Sequence, residues 1–467
     1  MSYFNNVTSD SEFGSEAQQA IEKALTTGNY GTDSSTFING RAMIPEDLES
    51  TMVNVVAQMK EDCKLLNSMK KTPVKSTVHE YNRRTDHGDF KHVSVAEGAE
   101  SVDTNQAIER KTVNIKYLQT RRSVTKQMET VDTFENAYAS EKLAGVEVIS
   151  KGIEYQMFHG DSDVIGTEFD GFLATLKKAG NTTTTEDFRG ASIATKGETV
   201  FDEIARKVYE KNGDLEKVMF PPVLAKDVKE LFAERLRFTP VSSNGSFTQM
   251  PDYSTAIGST LKFAGDNAGA DKFFQVKGKV EADGSTTLRP NAPTVSGAAS
   301  ASVAGSQFVA ADAGDYVYTV HAINAYGTSA ASEPTSAITV AAGGAVTLTI
   351  TPASSGANAT GFVICRSKKD GTETMEMCRV GKDVAATTTF VDKNEELPGT
   401  ATMLFLPKPK IMPAYDYAQL LPVSTYPLYP KDKAETPFLV MAYGALEVKA
   451  PEHCAIAKNI SYTGGLY

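Results

Sequence analysis

FHGDSDVIGTEFDGF, residues 158–172, holds one histidine and four carboxylates: His159, Asp161, Asp163, Glu168 and Asp170. It reads either as an acid/base or metal constellation or as a helix end feeding a loop. The residues before it favour the second. Val146, Ile149, Ile153 and Met157 recur every three or four positions, the buried stripe of an amphipathic helix. Asp132 and Glu135 form a D-x-x-E start, and Gly160 is a natural residue to follow the last turn. His159 then lies in that turn, where a cation interacts favourably with the helix dipole. Asp161 and Asp163 take turn positions, where Asp is favoured by its own hydrogen bonding. A Ca²⁺ or Mg²⁺ site on these two lacks the defining spacing.

Upstream of the helix the period changes to two. In KTVNIKYLQT, Val113, Ile115 and Tyr117 share one face, with Asn114 and Lys116 on the other, as in a half-exposed strand. STVHEYNRR (76–84) reads as its partner, and a long charged tip, 84–105, joins them. A two-stranded ribbon is marginal alone, so it makes physical sense packed on another subunit. Arg83-Arg84 and Arg121-Arg122 sit at or beside these strands. They read either as solvated edge charge, which also blocks edge aggregation, or as salt-bridge partners for acidic residues of a neighbouring subunit. Further upstream, helices are expected at 15–27 and from Pro45. The second has the apolar face Leu48, Met52, Val55, Met59, Cys63 and Leu66.

Downstream, 199–236 alternates helix, strand and helix: VFDEIARKVYEKNG, KVMFPP, VLAKDVKELFAERL. A composition break follows. From Pro290 to Cys365 there is no Lys or Arg. Within it Tyr316, Tyr318, Val320 and Ala322 alternate with Val317, Thr319, His321 and Ile323, and more short strands come after. This indicates an antiparallel sandwich at 291–396, with His321 a surface histidine. After Pro398 the earlier composition returns. FLVMAYGALEVKAPEHCAIAKNISY gives two β-rich runs that need partners from the earlier α/β part, so the sandwich reads as an insertion. Gly444 inside the first run suggests a bulge or a close backbone approach.

The net charge of −11 argues against a dedicated nucleic-acid binder. No signal peptide and no stretch long enough to span a bilayer is read. Cys63, Cys365, Cys378 and Cys454 form no CxxC pair, so no zinc site is expected. Cys365 and Cys378 could face each other across a hairpin, and two free thiols are the preferred reading. P-loop, HExxH, EF-hand, GxSxG and dinucleotide motifs are missing, so neither an enzyme nor a cofactor or metal is expected.

The order of arm, ribbon, long helix, α/β segment, insertion and terminal strands resembles the major capsid proteins of tailed bacteriophages, the Hong Kong 97-type fold. It is similar to those of Twort-like myophages. The likeness is carried by IEYQMFHGDS followed by TEFDGFLATL, RKTVNIKYL, RPNAP, FVDKNEELP and MAYGALEVKAPEHCAIAKNISY. The resemblance implies an α+β chain with these parts: arm and helices 1–73, E-loop 74–125, P-domain with spine helix 126–219, A-domain part 220–290, sandwich 291–396, and a return to A- and P-domain strands 397–467. The insertion resembles immunoglobulin or fibronectin type III modules through Tyr318, Val320, Ala322, Asn324, Gly327, Ser329 and Ser332. The implied function is self-assembly into hexamers and pentamers of an icosahedral head around double-stranded DNA, with the sandwich outward. Arg83, Arg84, Arg121 and Arg122 would be inter-subunit contacts. Implied partners are portal and scaffolding proteins and a minor or cement protein. There would be no membrane and no large propeptide, with assembly in the host cytoplasm. The rivals are an encapsulin-like compartment, and an extracellular adhesin or enzyme with an accessory sandwich. The missing signal peptide and the absence of Trp argue against the last.

Overall fold

The chain's computed structural model describes residues 63–88, 91, 93–100, 103–131, 136–180, 182–232, 252–263, 269–408 and 413–467. The helices expected at 15–27 and from Pro45 lie outside these residues, except for the end of the second. There Cys63, Leu65 and Leu66 are buried in and beside a short helix, Lys64–Ser68.

The long helix is Ala137–His159, 23 residues. Its cap is Asn136, whose side chain accepts from the Tyr138 and Ala139 N–H groups, both at 3.1 Å. The helix therefore starts after the D-x-x-E pattern, whose two acids lie outside the described residues. Ile149, Ile153, Met157 and Phe158 are buried. They share one core with a four-stranded sheet ordered Lys71–Pro73, Tyr415–Pro427, Glu435–Val448, Lys116–Thr125. The sheet joins the front of the chain to its last third, since Lys116 pairs with Gly444 and Thr125 with Glu435.

The run expected as one strand through Val113, Ile115 and Tyr117 is divided. Ala107–Asn114 pairs with Val78–Asp86 in the ribbon, whereas Lys116–Thr125 joins the central sheet. Ile115 is the joint: its side chain is in the core, and its N–H donates to Thr77 O at 2.9 Å. The changeover breaks the alternation. Tyr117 ends up 54% exposed, edge-on to Tyr443.

Gly444 is both things the sequence suggested. The register shifts between Gln419 and Leu421, opposite Gly444, and the Tyr417 ring lies against its Cα so that any Cβ would overlap the phenol. Tyr417 is buried and cannot swing away. Gly444→Ala is expected to cost about 1–3 kcal/mol, the usual penalty for overpacking, read as a lower midpoint in urea at unchanged slope.

A second sheet is ordered Thr185–Asp187, Ala455–Ile460, Ala401–Pro407, Leu215–Phe220, Gly269–Ala270. The helices Thr199–Tyr209 and Ala225–Leu231 supply Phe201, Ile204, Val208 and Val228 to its core. Strands from before and after residues 291–396 pair with each other here: Phe405 pairs with Val218.

The segment at 291–396 is a β unit with two larger sheets and a separate short pair, Gly314–Tyr316 with Ile338–Val340. One sheet is Thr294–Ser300, Ala345–Thr351, Thr388–Asp392. The other is Gly327–Thr328, Tyr318–Asn324, Gly361–Ser367, Thr374–Gly381. The Tyr318 strand is central in its sheet although it comes early in the chain, so strands necessarily follow it. Tyr318, Val320 and Ala322 face the unit's own core. The other face of that strand is also covered, because Ile323, Val363 and Cys365 pack with Val164 and Ile165. This corrects His321, which is buried at 4% exposure with Nδ1 3.0 Å from Ser329 O. The preferred reading of Cys365 and Cys378 as free thiols holds, and the two do not face each other across the hairpin. Cys378 pairs with Ile364, and a register shift separates that pair from Cys365. Neighbouring residues on a strand point to opposite faces, so the two thiols look away from each other and both are free.

Candidate functional site

The stretch at 158–172 is a backbone joint. The Gly171 N–H donates to Gly160 O at 2.9 Å, folding the loop back on the helix end. Asp161, Asp163 and Asp170 do converge, but on an ammonium: Lys178 Nζ stands 3.0, 3.1 and 2.8 Å from them. Burial works against the Lys178 charge, yet hydrogen bonds with Asp170, Asp161 and Asp163 outweigh it and raise its pKa. Asp161 also accepts the Asp163 N–H at 3.0 Å and Asp170 the Ser162 N–H at 2.8 Å. These carboxylates are spent on the loop's own architecture, and no metal-binding cluster occurs among the described residues. The loop then presents Val164 and Ile165 to the inserted unit.

His159 does not act as a dipole-bound cation. Its ring packs near Tyr155 and Phe274, and Nε2 accepts the Gln275 N–H at 2.9 Å, which requires an unprotonated nitrogen. Burial, with Arg379 nearby, pushes its pKa down to about 3. A cavity of about 480 Å³ opens beside it, between the helix end, strand Thr374–Gly381 and strand Ala455–Ile460. Its wall charges pair with one another. Arg379 Nε meets Glu376 at 2.8 Å, and Glu396 meets Lys277 and Lys458. Burial opposes the Glu396 charge, but the two lysines hold its carboxyl at about 2.

Glu154, missed by the periodicity because it sits beside the apolar stripe, is fully buried. Its carboxylate accepts the Leu65 and Leu66 N–H groups at 2.7 Å each, tying the short helix Lys64–Ser68 to the long one. Burial, then Asp271, raises its pKa to about 8.

The four arginines are dispersed rather than gathered. Arg83 lies in the ribbon, 3.0 Å from Glu109 and 3.3 Å from Glu452. Arg121 reaches Glu435 at 2.8 Å and Arg122 reaches Glu141 at 2.7 Å, both from the central sheet. Arg84 is exposed on the ribbon. The ribbon's two strands form a sheet of their own, and Val78 and Ile108 are exposed on it, as are Val93 and Val95 in its tip.

Residues 25–272 match the family model described as SU10 major capsid protein. The chain is 26% identical over 481 residues to the putative major capsid protein of Enterococcus phage phiEF24C, covering 96% of this chain and 97% of that one. It is 25% identical over 489 residues to the major capsid protein of Staphylococcus phage K, covering 97% of each. Among solved structures it is similar to the holo-SrpI encapsulin complex from Synechococcus elongatus PCC 7942, with a TM-score of 0.45, 10% identity, and 90% and 94% of the two chains covered. It is also similar to the capsid of the native GTA particle, with a TM-score of 0.42, 11% identity, and 92% and 100% covered.

Proposed function

This chain belongs to the SU10 major capsid protein family, and from that premise we propose that it builds the head of a tailed phage as hexamers and pentamers of an icosahedral shell around double-stranded DNA. It is a phage major capsid protein and a virion component. Its role is structural rather than catalytic. The observation that carries the assembly reading is the ribbon. Two strands paired only with each other are marginal in water, and exposing Val78, Val93, Val95 and Ile108 adds to the cost. Laid over a neighbouring copy, the same surface becomes an interface repeated by closed symmetry, and many weak contacts sum through multivalency.

Arg84 is the arginine best placed to reach a neighbour, because Arg83, Arg121 and Arg122 already have partners within the chain. The acidic balance suits a lining that does not trap the DNA it encloses. The inserted unit, in this reading an immunoglobulin-like module, projects from the outer surface. Portal, scaffolding and cement proteins are the expected partners, with assembly in the host cytoplasm.

The test shortens the ribbon. With residues 87–106 replaced by an Asn-Gly turn, the subunit is expected to keep its circular dichroism spectrum and its unfolding midpoint. It should sediment only as small species where the intact chain gives closed shells in negative-stain electron microscopy. Shells from the shortened chain would overturn the ribbon's role.

A further inference from the structure

The root of the ribbon rests on two buried acids. Asp416 and Glu447 are directly opposite each other across the antiparallel pair Tyr415–Pro427 and Glu435–Val448. They are 1% and 0% exposed. Like charges in that position repel, and burial removes the water that would screen them. Their surroundings supply too little to neutralise both. Asp416 Oδ2 accepts from Thr72 Oγ1 at 2.7 Å and from Lys449 Nζ at 3.0 Å. Lys449 Nζ is 3.7 Å and His79 Nε2 is 3.6 Å from Glu447 Oε2. Neither Glu447 oxygen, nor Asp416 Oδ1, has a hydrogen-bond partner. The remaining charged groups nearby, Arg83 and Glu452, already pair with each other at 3.3 Å.

Apart from Lys449 and Glu452, the groups around this pair belong to the ribbon and its entry. Thr72 lies in the strand leading to it. His79 is in its first strand, and Tyr81 in the same strand donates its hydroxyl to Val448 O at 3.2 Å, next to Glu447. A carboxyl hydrogen between Glu447 and Asp416 would give one oxygen of each a partner and remove the repulsion at once.

We propose that Asp416 and Glu447 hold one proton between them, that this proton latches the root of the ribbon to the central sheet, and that its loss frees the ribbon. The latch is a property of the single subunit and goes beyond the assembly reading. Burial, reinforced by Asp416, raises the Glu447 carboxyl from the ordinary range to about 8. The sign follows from linkage. The closed state keeps a proton that the opened, hydrated carboxyl releases above its ordinary value of 4.5. Closing is therefore favoured at low pH and weakens as pH climbs towards about 8, by up to roughly tenfold per pH unit. Above that the penalty is constant.

Hydrogen–deuterium exchange on the full-length chain, corrected for the intrinsic pH dependence of exchange, tests this. Protection of amides 74–84 is expected to fall by on the order of tenfold or more between pH 6 and pH 8. Amides 149–157 of the long helix should hold theirs. Glu447→Gln, which supplies a permanent donor of the same shape, should flatten the dependence, and Asp416→Asn should do the same if the first variant fails to fold. Flat protection in the wild type, or an undiminished fall in Glu447→Gln, overturns the latch. Neither outcome depends on whether shells form.

Discussion

Replacing Arg366 by Ala is expected to destabilise the inserted unit by about 3–5 kcal/mol, the cost of stranding a buried charge. Arg366 is 0% exposed. Its Nη1 donates to Asp392 Oδ2 at 2.6 Å and its Nη2 to Asn394 Oδ1 at 2.8 Å. The guanidinium lies 5.0 Å from the Tyr316 ring centroid and 5.6 Å from that of Phe308. Tyr318 Oη also donates to Asp392, at 2.9 Å. Without the arginine, Asp392 keeps that hydroxyl and the Asn394 N–H, at 2.8 Å, but loses its cation, while two rings face a cavity. With no tryptophan in the chain, tyrosine fluorescence follows the loss through Tyr316 and Tyr318 during urea unfolding. Arg366→Lys should recover only part of it, because an ammonium cannot make the forked contact. A loss below about 1 kcal/mol for Arg366→Ala would mean that water or another group replaces the cation, against the buried-pair account.

Gly171→Ala is expected to cost about 3 kcal/mol, the upper part of the overpacking range. A Cβ at this position would stand 2.5 Å from Gln156 O and 2.8 Å from Met157 O. Both are backbone atoms of the long helix's last turn, so no rotamer change relieves the overlap and the turn must unwind. Gly152, on the same helix, has nothing within 4 Å of its would-be Cβ. There Ala should be neutral or stabilising by up to about 1 kcal/mol, through helix propensity. Thermal unfolding of the two variants side by side separates a general tolerance of alanine from a joint at Gly171. Equal midpoints would sink the joint reading and return the acidic loop to consideration as something other than a hinge of the fold.

The long helix was legible because its burial is one-sided. The spacing of Ile149, Ile153 and Met157 locates the stripe, and the helix does end at His159-Gly160, although the glycine is needed there because Phe169 O lies against it. The change of character at 290 was legible from composition, since the stretch without Lys or Arg differs from both of its flanks. Gly444 was legible because a glycine within an apolar strand needs a reason. The family likeness came from the order of these parts.

The remainder depended on partners far away in the chain. His321 and Cys365 alternate like an outer face, and Val164 and Ile165, arriving from the helix-end loop, cover that face together with Val280. The strand through Ile115 changes sheets because its two halves find different partners, one in the ribbon and one near the C-terminus. Asp161, Asp163 and Asp170 look like a metal site until Lys178 is placed among them. Glu154, Arg366, Asp416 and Glu447 carry ionisable groups into the core, and no local pattern marks them. Periodicity reports how one element divides its faces between water and protein. What a buried charge costs, and therefore what it does, is set by which group stands a few ångströms away, and that is decided by tertiary contacts spanning tens to hundreds of residues.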